Sequence, residues 1–370
     1  MAHDFGSFYK YLEFKRYQVL AKNGIGSLLY RIVTILLFPI LFTPAAMRSR
    51  IVNRRNIEGV SLYQMIREAE KRGVGRRVDL LYSYLWYHIV PWEYEAYHFK
   101  GQPHKKRLLW LSDADRYMCC SLLMNSTYEV LKNKWNFYKI TKDFFKREAF
   151  LFHPQTSQNE LSAFLERHPT VFVKPLKGSM GAGAFKFDNN ASHDISLFDI
   201  LTKESSSFII EEIIIQDERM SAWNESSVNS IRFPSFFRDG NWHTLQPCFR
   251  TGRKGQVVDN IGAGGVFTVI DETTGRITTN GMDHYNKVYL KHPDSGLTFK
   301  DYQLPCWEEL LQYAFSIHRS LPPEFIYVGF DFALTEKGWD IIEANWGQFA
   351  HQIASQKGVK REFDSYLGIL

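Results

Sequence analysis

Short apolar runs separated by glycine-rich and polar turns mark the second half of the chain. A β-branched and aromatic run from Val171 ends at Lys174, a glycine-rich loop follows, and residues 184–187 alternate again. This pattern predicts a β-hairpin, and not the strand-to-helix turn of a Rossmann site or a P-loop. Glycines let backbone N–H groups approach a polyphosphate, and a lysine at the loop can neutralise it. A flexible hairpin tip without a ligand is the alternative.

Further apolar runs predict more strands. Residues 207–215 form one run, interrupted by Glu211 and Glu212. Two carboxylates inside a buried strand are costly unless something uses them, whereas an edge strand with alternating faces is the plain alternative. Four other strands are predicted in pairs: 227–233 with 242–249, and 327–334 with 339–345.

Helical patterns predominate before the hairpin. Ser61 is a candidate N-cap for a helix that ends at Gly73, and an aromatic-rich helix stops near Pro91. Residues 102–107 form a polar linker that we take as a domain boundary. Later helices are predicted at 128–142, 160–167 and 307–319. The predicted divisions are 1–56, 57–110 and 111–370, the last containing subdomains at about 145–207 and 208–370.

The first 56 residues combine basic and apolar character. An apolar run of about 16 residues lies within 28–47 and is short of the roughly 20 needed to cross a bilayer. Pro39 interrupts it, and arginines follow it at 48, 50, 54 and 55. Three interpretations stay open: a membrane-surface or re-entrant anchor, a buried core helix, and a transmembrane span. The arginines favour contact with anionic lipid headgroups.

Charge and composition narrow the function classes. The net charge of +5 is uneven, since residues 1–110 hold 18 Lys/Arg against 8 Asp/Glu and the remainder 27 against 32. The basic excess surrounds an apolar run, so we expect no nucleic-acid partner. Four cysteines without metal-ligand spacing indicate reduced thiols of a cytoplasmic protein. The twelve histidines include no His-Glu-x-x-His pattern, so no zinc site is expected.

The last predicted hairpin holds a cluster of oxygen ligands. Asp331 lies in its first strand, and Glu343 and Asn345 lie two residues apart in its second strand. Residues two apart in a strand share a face. Carboxylate and amide oxygens suit Mg²⁺, which commonly takes its other ligands from nucleotide phosphates. The alternative is a pair of acids on the solvent face of an edge hairpin.

The order of these motifs resembles one family. The phrases are Val173-Lys-Pro-Leu-x-Gly-Ser-x-Gly181, Ser227-Val-Asn-Ser-Ile-Arg232, Val258-Asp-Asn-x-Gly-Ala-Gly-Gly265 and Ile342-Glu-Ala-Asn-Trp346. Together they resemble the sugar-transfer-associated branch of the ATP-grasp superfamily, related to glutamate-ligase-like proteins, over roughly residues 111–370. The resemblance implies an α+β ATP-grasp fold, with two subdomains that clasp a nucleotide, preceded here by a mainly helical N-terminal region.

The resemblance also implies roles for individual residues. Lys134 and Lys174 match two lysines that contact the nucleotide, although the usual acidic neighbour of the first is Asn133 here. The loop over the phosphates matches Gly178, Ser179, Gly181 and Gly183. The adenine hinge matches Glu211, Glu212, Ile213 and Ile214, and the ribose contact falls to Asp217 or Glu218. The Mg²⁺ ligands match Asp331, Glu343 and Asn345. Positions near the γ-phosphate and the acceptor match Asn229, Arg232, Arg250 and Asn260.

Such a site implies an ATP- and Mg²⁺-dependent carboxylate–amine ligase that acts through an acyl-phosphate. The expected substrates are a small-molecule carboxylate and an amine, among them an amino acid and a sugar precursor of a cell-surface glycan. A phosphotransferase on the same nucleotide site and a non-catalytic membrane-docked scaffold are the alternatives. We expect a cytoplasmic protein, peripheral at the inner membrane face if the anchor interpretation holds. The sequence does not indicate an oligomeric state.

Overall fold

Two antiparallel sheets and a group of helices make up the computed structural model. The structure describes residues 15, 18, 29, 60–177, 182–192, 195–204, 206–256, 258, 259, 262, 264–347, 349 and 351–370. Most of the predicted N-terminal segment 1–56, including nearly all of the apolar run, therefore lies outside the described residues. Within the described part of the chain, no helix is both long and apolar enough to cross a membrane.

The helices and strands alternate irregularly along the chain. The helices are α1 Leu62–Lys71, α2 Arg77–Tyr87, α3 Pro91–Ala96, α4 His104–Arg107, α5 Asp113–Leu123, α6 Asn125–Lys132, α7 Lys134–Thr141, α8 Gln158–Arg167, α9 Leu197–Thr202, α10 Glu218–Ser221, α11 Trp307–Ser320, α12 Gln352–Ser355 and α13 Lys360–Tyr366, with a 3₁₀ turn at Lys142–Phe144. The strands are β1 Ala149–Phe152, β2 Thr170–Pro175, β3 Phe185–Asp188, β4 Phe208–Glu212, β5 Ser230–Arg238, β6 Asn241–Thr244, β7 Cys248–Thr251, β8 Val266–Val269, β9 Gly281–Met282, β10 Val288–Tyr289, β11 Tyr327–Thr335 and β12 Gly338–Asn345.

The chain divides into two compact units. One contains the described part of Met1–Asn125 together with Gln356–Leu370, and the other is Ser126–Ser355. The C-terminal residues join the first unit because the Lys360 N–H donates to the Leu109 carbonyl at 3.0 Å. Its ammonium group also lies 3.8 Å from the Asp115 carboxylate. The division thus falls later in the sequence than residue 110, where the polar linker suggested it.

The first unit is helical among its described residues. Ser61 caps α1 through a reciprocal pair of bonds with Gln64, as the capping pattern predicted. The stretch 102–107, predicted as a polar linker, contains α4 and the buried side chain of Arg107. The Arg107 guanidinium donates to both carboxylate oxygens of Asp79 and to the Phe99 carbonyl. A basic residue in a polar stretch therefore serves as a buried cross-link.

A four-stranded antiparallel sheet forms the first half of the second unit. Its strand order is β1-β4-β2-β3, so the predicted hairpin of β2 and β3 is confirmed. Leu161 and Phe164 of α8, with Leu201 of α9, pack in the same core as Val173 and Ile210. Because β4 lies between β1 and β2, the edge-strand alternative for its acidic run is wrong.

An eight-stranded antiparallel sheet forms the second half of this unit. The order is β10-β9-β8-β7-β5-β11-β12, and β6 pairs with β5 beyond the end of β7. Leu310, Ala314 and Ile317 of α11 share a buried core with Phe330 and Ile341 of the last hairpin. The predicted pairing of 327–334 with 339–345 is confirmed, with a register shift between Asp331 and Phe332.

One predicted helix is broken in two. Residues 128–142 form α6, α7 and the 3₁₀ turn, and the break falls at Asn133. The Asn133 side-chain oxygen accepts hydrogen bonds from the N–H groups of Trp135 and Asn136, which makes it the N-cap of α7. An asparagine that caps a helix takes an extended backbone, so the helical pattern restarts there. Lys134 is consequently the first residue of α7.

Candidate functional site

A row of charged residues crosses the last four strands in the order of the eight-stranded sheet, β7, β5, β11 and β12. Arg232 of β5 pairs with Asp331 of β11, and Asp331 pairs with Glu343 of β12. Residues directly opposite each other in antiparallel strands present their side chains on the same face. Ser230 and Arg250 are likewise paired between β5 and β7. The side chains of Asp331 and Glu343, predicted to bind Mg²⁺, thus lie on one face of the sheet. Arg232 and Arg250, predicted to lie near the γ-phosphate, are on the same face.

Asp331 is held by both arginines. Arg232 donates to its two carboxylate oxygens, at 3.0 Å for Nη2 to Oδ2. The Nη2 of Arg250 lies 2.9 Å from the same Oδ2. Burial alone would raise the pKa of Asp331, but the two guanidinium groups outweigh it and hold the pKa below its ordinary value. Asp331 is therefore an ionised and nearly inaccessible carboxylate, with a side chain 3% exposed.

Arg250 extends this charge row toward the glycine-rich stretch after β7. It donates to the Ser230 hydroxyl at 2.8 Å and lies 3.7 Å from Asp259. Ser230 in turn donates to the Asp259 carboxylate. Burial raises the pKa of Asp259, although Arg250 and Ser230 oppose the shift. Acidic and basic groups thus alternate along this face of the sheet. Asn260, which was predicted to lie near the γ-phosphate and the acceptor, is outside the described residues.

The predicted Mg²⁺ ligands differ in how free they are. The side chains of Glu343 and Asn345 are half-buried and accept no hydrogen bond from other described residues. Their oxygens are hard donors that fit Mg²⁺. Asp331 fits less simply, because its carboxylate is already bonded to Arg232 and Arg250. Among the described residues, no group of three or more His, Cys, Asp or Glu side chains forms a metal site. The donor set therefore fits the ion through Glu343 and Asn345, with Asp331 available only if an arginine releases it.

The four-stranded sheet contributes a second buried charge cluster. The Lys174 Nζ lies 2.8 Å from the Glu211 Oε2, and both side chains are below 10% exposed. Arg147, which precedes β1, lies 3.1 Å from the same oxygen. Burial alone would raise the pKa of Glu211, but Arg147 and Lys174 hold it below its ordinary value. Glu211 therefore stays ionised and orients Lys174.

Lys134 connects the two charge clusters. Burial is the main reason that its pKa is lowered, and Lys174 lowers it further, whereas Glu343 and Glu211 act in the opposite direction. An electrostatic effect from Glu343 and Lys174 on one ammonium group means that β12 and β2 both present charge to the N-terminus of α7. Its backbone N–H donates to the Leu176 carbonyl at 3.3 Å, which fixes that helix end beside the loop after β2.

The other described residues predicted to contact the nucleotide lie at the end of β4, just after it, at α10 and at Gly183. Glu212 ends β4, and its backbone N–H donates to the Glu148 carbonyl at 2.9 Å. Ile213 and Ile214 follow the strand and are half-buried. Asp217 caps α10 and binds Arg219, whereas Glu218 is exposed. Gly183 has a left-handed φ of 72°, while Gly178, Ser179 and Gly181 lie outside the described residues.

Asn229 is fully buried, and both its side-chain nitrogen and its side-chain oxygen are hydrogen-bonded within the protein. Its amide donates to the Gln216 side chain and to the carbonyls of Met220 and Asn224. Its oxygen accepts from the Thr251 hydroxyl at 2.6 Å. The residue therefore ties α10 to β5 and β7, and the structure does not present it to a ligand.

Sequence reasoning missed Arg147 and Asp340. Their side chains are 3% and 2% exposed and form an ion pair at 2.7 Å. Asp340 lies between Trp339 and Ile341 in an apolar strand, so a buried acid in such a run was a usable signal. Arg147 stands in the charged triplet Lys146-Arg-Glu148, which resembles an ordinary surface turn and gives no local signal.

The chain belongs to the sugar-transfer-associated ATP-grasp family, whose profile matches residues 118–366. The family predicted from the motifs, and with it the ATP-grasp fold, is thereby confirmed. No curated protein matches the sequence significantly.

Several solved structures match part of the chain at low sequence identity and with TM-scores below 0.5. A D-alanine–D-alanine ligase from Bacillus anthracis is 14% identical, with 67% of this chain and 66% of that chain covered and a TM-score of 0.38. A D-cycloserine synthetase is 10% identical, with coverage of 69% and 76% and a TM-score of 0.42. An N5-carboxyaminoimidazole synthetase from Staphylococcus aureus, complexed with ADP, is 10% identical, with coverage of 65% and 52% and a TM-score of 0.40.

Proposed function

We propose that the protein is an ATP- and Mg²⁺-dependent carboxylate–amine ligase that releases ADP. The observation that carries the proposal is the convergence on Lys134. Its backbone N–H donates to the Leu176 carbonyl just after β2, and Glu343 of β12 and Lys174 of β2 both lie near enough to shift its pKa. Cationic groups beside free hard oxygens are what a metal-bound polyphosphate requires. Membership of an ATP-grasp family supports the same assignment.

The residues divide the work by charge. Lys134 and Lys174 would neutralise the phosphates, the glycine-rich stretch that ends at Gly183 is assigned to the same phosphates, and Glu343 with Asn345 would hold the metal. When bound, Mg²⁺ neutralises the charge of the phosphate oxygens. Glu211 and Glu212, with the backbone of Ile213 and Ile214, are assigned to the adenine, and Glu218 to the ribose. The exposed Glu218 suits the ribose better than Asp217, which binds Arg219.

Arg232 and Arg250 are assigned to the reacting groups. Their planar donor forks suit oxyanions, and Asp331 fixes both in place. A carboxylate oxygen of the substrate attacks the γ-phosphorus, and the bond to the leaving ADP oxygen breaks. The amine nitrogen then attacks the acyl carbon, phosphate leaves, and the amine loses a proton. Asn260 is assigned beside this acceptor end.

The substrate assignment goes one step further. We assign the acceptor to a cell-surface polysaccharide or lipid-linked glycan precursor and the other partner to an amino acid. The family's association with sugar transfer supports this choice. A protein acting on such precursors would work at the inner face of the cytoplasmic membrane, where the basic and apolar N-terminal segment supplies a surface for anionic lipid.

A substrate screen tests the proposal. The protein in detergent is incubated with Mg-ATP, an array of amino acids and nucleotide sugars, and ADP release is measured before the products are weighed by mass spectrometry. ADP and phosphate with an amine-dependent amide support the ligase. A phosphorylated acceptor would assign the site to a phosphotransferase. Absence of Mg-ATP binding by calorimetry in folded protein would favour a non-catalytic scaffold.

A further inference from the structure

One buried guanidinium bonds to acceptors from both sheets of the second unit. The Nη1 of Arg147 donates to the Asp340 Oδ2 at 2.7 Å and to the Ile341 carbonyl at 2.5 Å. Its Nη2 donates to the Glu211 Oε2 at 3.1 Å and to the Ile342 carbonyl at 3.3 Å. Glu211 belongs to the four-stranded sheet and the other three acceptors to β12. Arg147 is therefore a cross-link between the sheets.

The acceptors in β12 lie at the irregularity that precedes Glu343. Asp331 pairs with Glu343 and Phe332 with Ile341, so Ile342 has no partner in the ladder with β11. Such bulges re-aim neighbouring side chains and leave backbone groups outside the regular ladder. Arg147 donates hydrogen bonds to the carbonyls of Ile341 and Ile342, which flank the Cα of Ile342. It therefore fixes the backbone that determines where the Glu343 carboxylate points.

The other end of the cross-link reaches Lys174. The Glu211 oxygen that accepts from Arg147 also accepts from the Lys174 Nζ at 2.8 Å. Movement of Arg147 would consequently remove one of the two cations that fix Glu211, the carboxylate to which Lys174 is bonded. Asp340 completes the arrangement, since its second oxygen accepts the backbone N–H of Lys146 at 3.0 Å.

We propose that Arg147 is a positioning residue that couples metal binding to nucleotide binding. It holds the lysine assigned to phosphate and the glutamate assigned to Mg²⁺ in one fixed relation, although it touches neither ligand. The inference rests on the proposed function, because it uses those two assignments. Its consequence is that the affinity gained for ADP when Mg²⁺ is present depends on Arg147.

Lysine cannot replace arginine here. Four acceptors in different directions need the planar fork of a guanidinium, whereas an ammonium group carries three donors on a compact centre. Arg147→Lys keeps the charge beside Glu211 and Asp340 and so avoids leaving both buried carboxylates uncompensated. It loses the simultaneous bonds to the two carbonyls of β12. The substitution therefore separates geometry from charge.

The experiment measures ADP binding by calorimetry with Mg²⁺ and with EDTA, for wild type and Arg147→Lys in the full chain. Arg167→Lys is the matched control, because Arg167 binds Glu148 at 3.0 Å in an ion pair whose side chains are both more than half exposed. We expect the affinity gain from Mg²⁺ to fall at least about tenfold in Arg147→Lys, as for other residues that orient metal ligands. The gain should be unchanged in Arg167→Lys.

The outcomes separate the two hypotheses. An unchanged Mg²⁺ gain in folded Arg147→Lys overturns the positioning role, even if the melting temperature falls. A wild-type protein whose ADP affinity ignores Mg²⁺ overturns it as well. A wild-type protein that binds no ADP overturns the proposed function, and the inference with it. If Arg147→Lys does not fold, Asp340→Asn weakens the same cross-link with Arg147 retained, and the same loss of Mg²⁺ gain is expected.

Discussion

At the scale of single residues, the side chains of the candidate site are held to very different degrees. Asp331 and Glu211 are buried and each is bonded to two cations. Removing one partner of such a pair commonly costs about 3–5 kcal/mol, because a charge is left buried without compensation. Glu343 and Asn345 carry no comparable structural bonds among the described residues. Substitutions there should therefore change chemistry more than stability.

Glu343→Gln tests this distinction. The substitution preserves the shape of the side chain and removes the negative charge that would bind Mg²⁺. We therefore expect turnover to fall more than about 100-fold, more than is usual for residues that only orient metal ligands. The free energy of unfolding should change by less than about 1 kcal/mol, because the side chain makes no hydrogen bond within the described chain. ADP release and thermal melting measure the two effects. Glu336→Gln, in the exposed turn of the same hairpin, is the control, and full activity of Glu343→Gln would reject the metal assignment.

His318 makes a pH prediction independent of the site. Its Nε2 donates to the Phe325 carbonyl at 2.6 Å, and its Nδ1 faces the Ser235 hydroxyl, which also accepts from the Trp242 indole. Burial lowers the pKa of His318 from 6.5 to about 4. An unfolded chain takes up this proton near pH 6.5, but the folded chain does so only near pH 4. The contribution of the neutral His318 to the free energy of unfolding is therefore fully present above about pH 6.5. It is lost as the pH falls toward 4.

The expected loss between pH 7 and pH 4 is about 3 kcal/mol from this residue. Urea unfolding across that range measures it, with His318→Gln as the reference that lacks the titration. The wild-type curve should fall more steeply than that of the variant. Parallel curves would contradict a neutral, buried His318.

At the scale of elements, hairpins with clear turns could be predicted from the sequence. The order of the strands within each sheet could not. The hairpins β2–β3 and β11–β12 followed from alternation around glycine-containing turns. The central position of β4 did not, because pairing with β1 joins residues that are distant in sequence. The separate start of α7 was not predicted, because one capping asparagine inside an apolar pattern leaves the helical period intact on both sides.

The cap of α7 gives an element-scale prediction. Asn133→Ala removes the bonds to two N–H groups and should cost about 1 kcal/mol of stability. It should also weaken Mg-ATP binding several-fold, because Lys134 begins the helix. Asn133→Asp keeps the cap and favours the positive helix end, so it should retain both properties. Calorimetry and melting curves measure these effects.

Ser157→Ala is the matched control for this test, since Ser157 caps α8 through Glu160 and lies outside the proposed site. It should lose similar stability while Mg-ATP affinity stays at the wild-type value. Equal affinity in Asn133→Ala would show that the helix start does not position Lys134.

At the scale of the whole molecule, the sequence suggested candidate residues for the site but not the buried side chains that support them. Motifs led to the predictions for Lys174, Asp331 and Glu343, whereas no motif indicated Arg147 and Asp340. Their pairing depends on two segments that meet only in the folded chain, which no local pattern encodes. Arg232 and Arg250 were predicted as candidates, but their bonds to Asp331 were not.

The N-terminal segment carries the last prediction, which concerns membrane association. Deleting residues 1–50 removes the apolar run and two of its four flanking arginines, so binding to anionic vesicles should be lost. Arg→Gln substitutions at 48, 50, 54 and 55 should weaken binding to phosphatidylglycerol vesicles while leaving weak binding to phosphatidylcholine, because only the electrostatic part is removed. Co-sedimentation at low and high salt measures both, since screening acts on charge and not on apolar insertion.

ADP release by the deletion variant in detergent is the control for folding. An insoluble deletion variant would instead assign the apolar run to the core, and a soluble one that still binds vesicles would place the lipid-binding surface elsewhere on the chain.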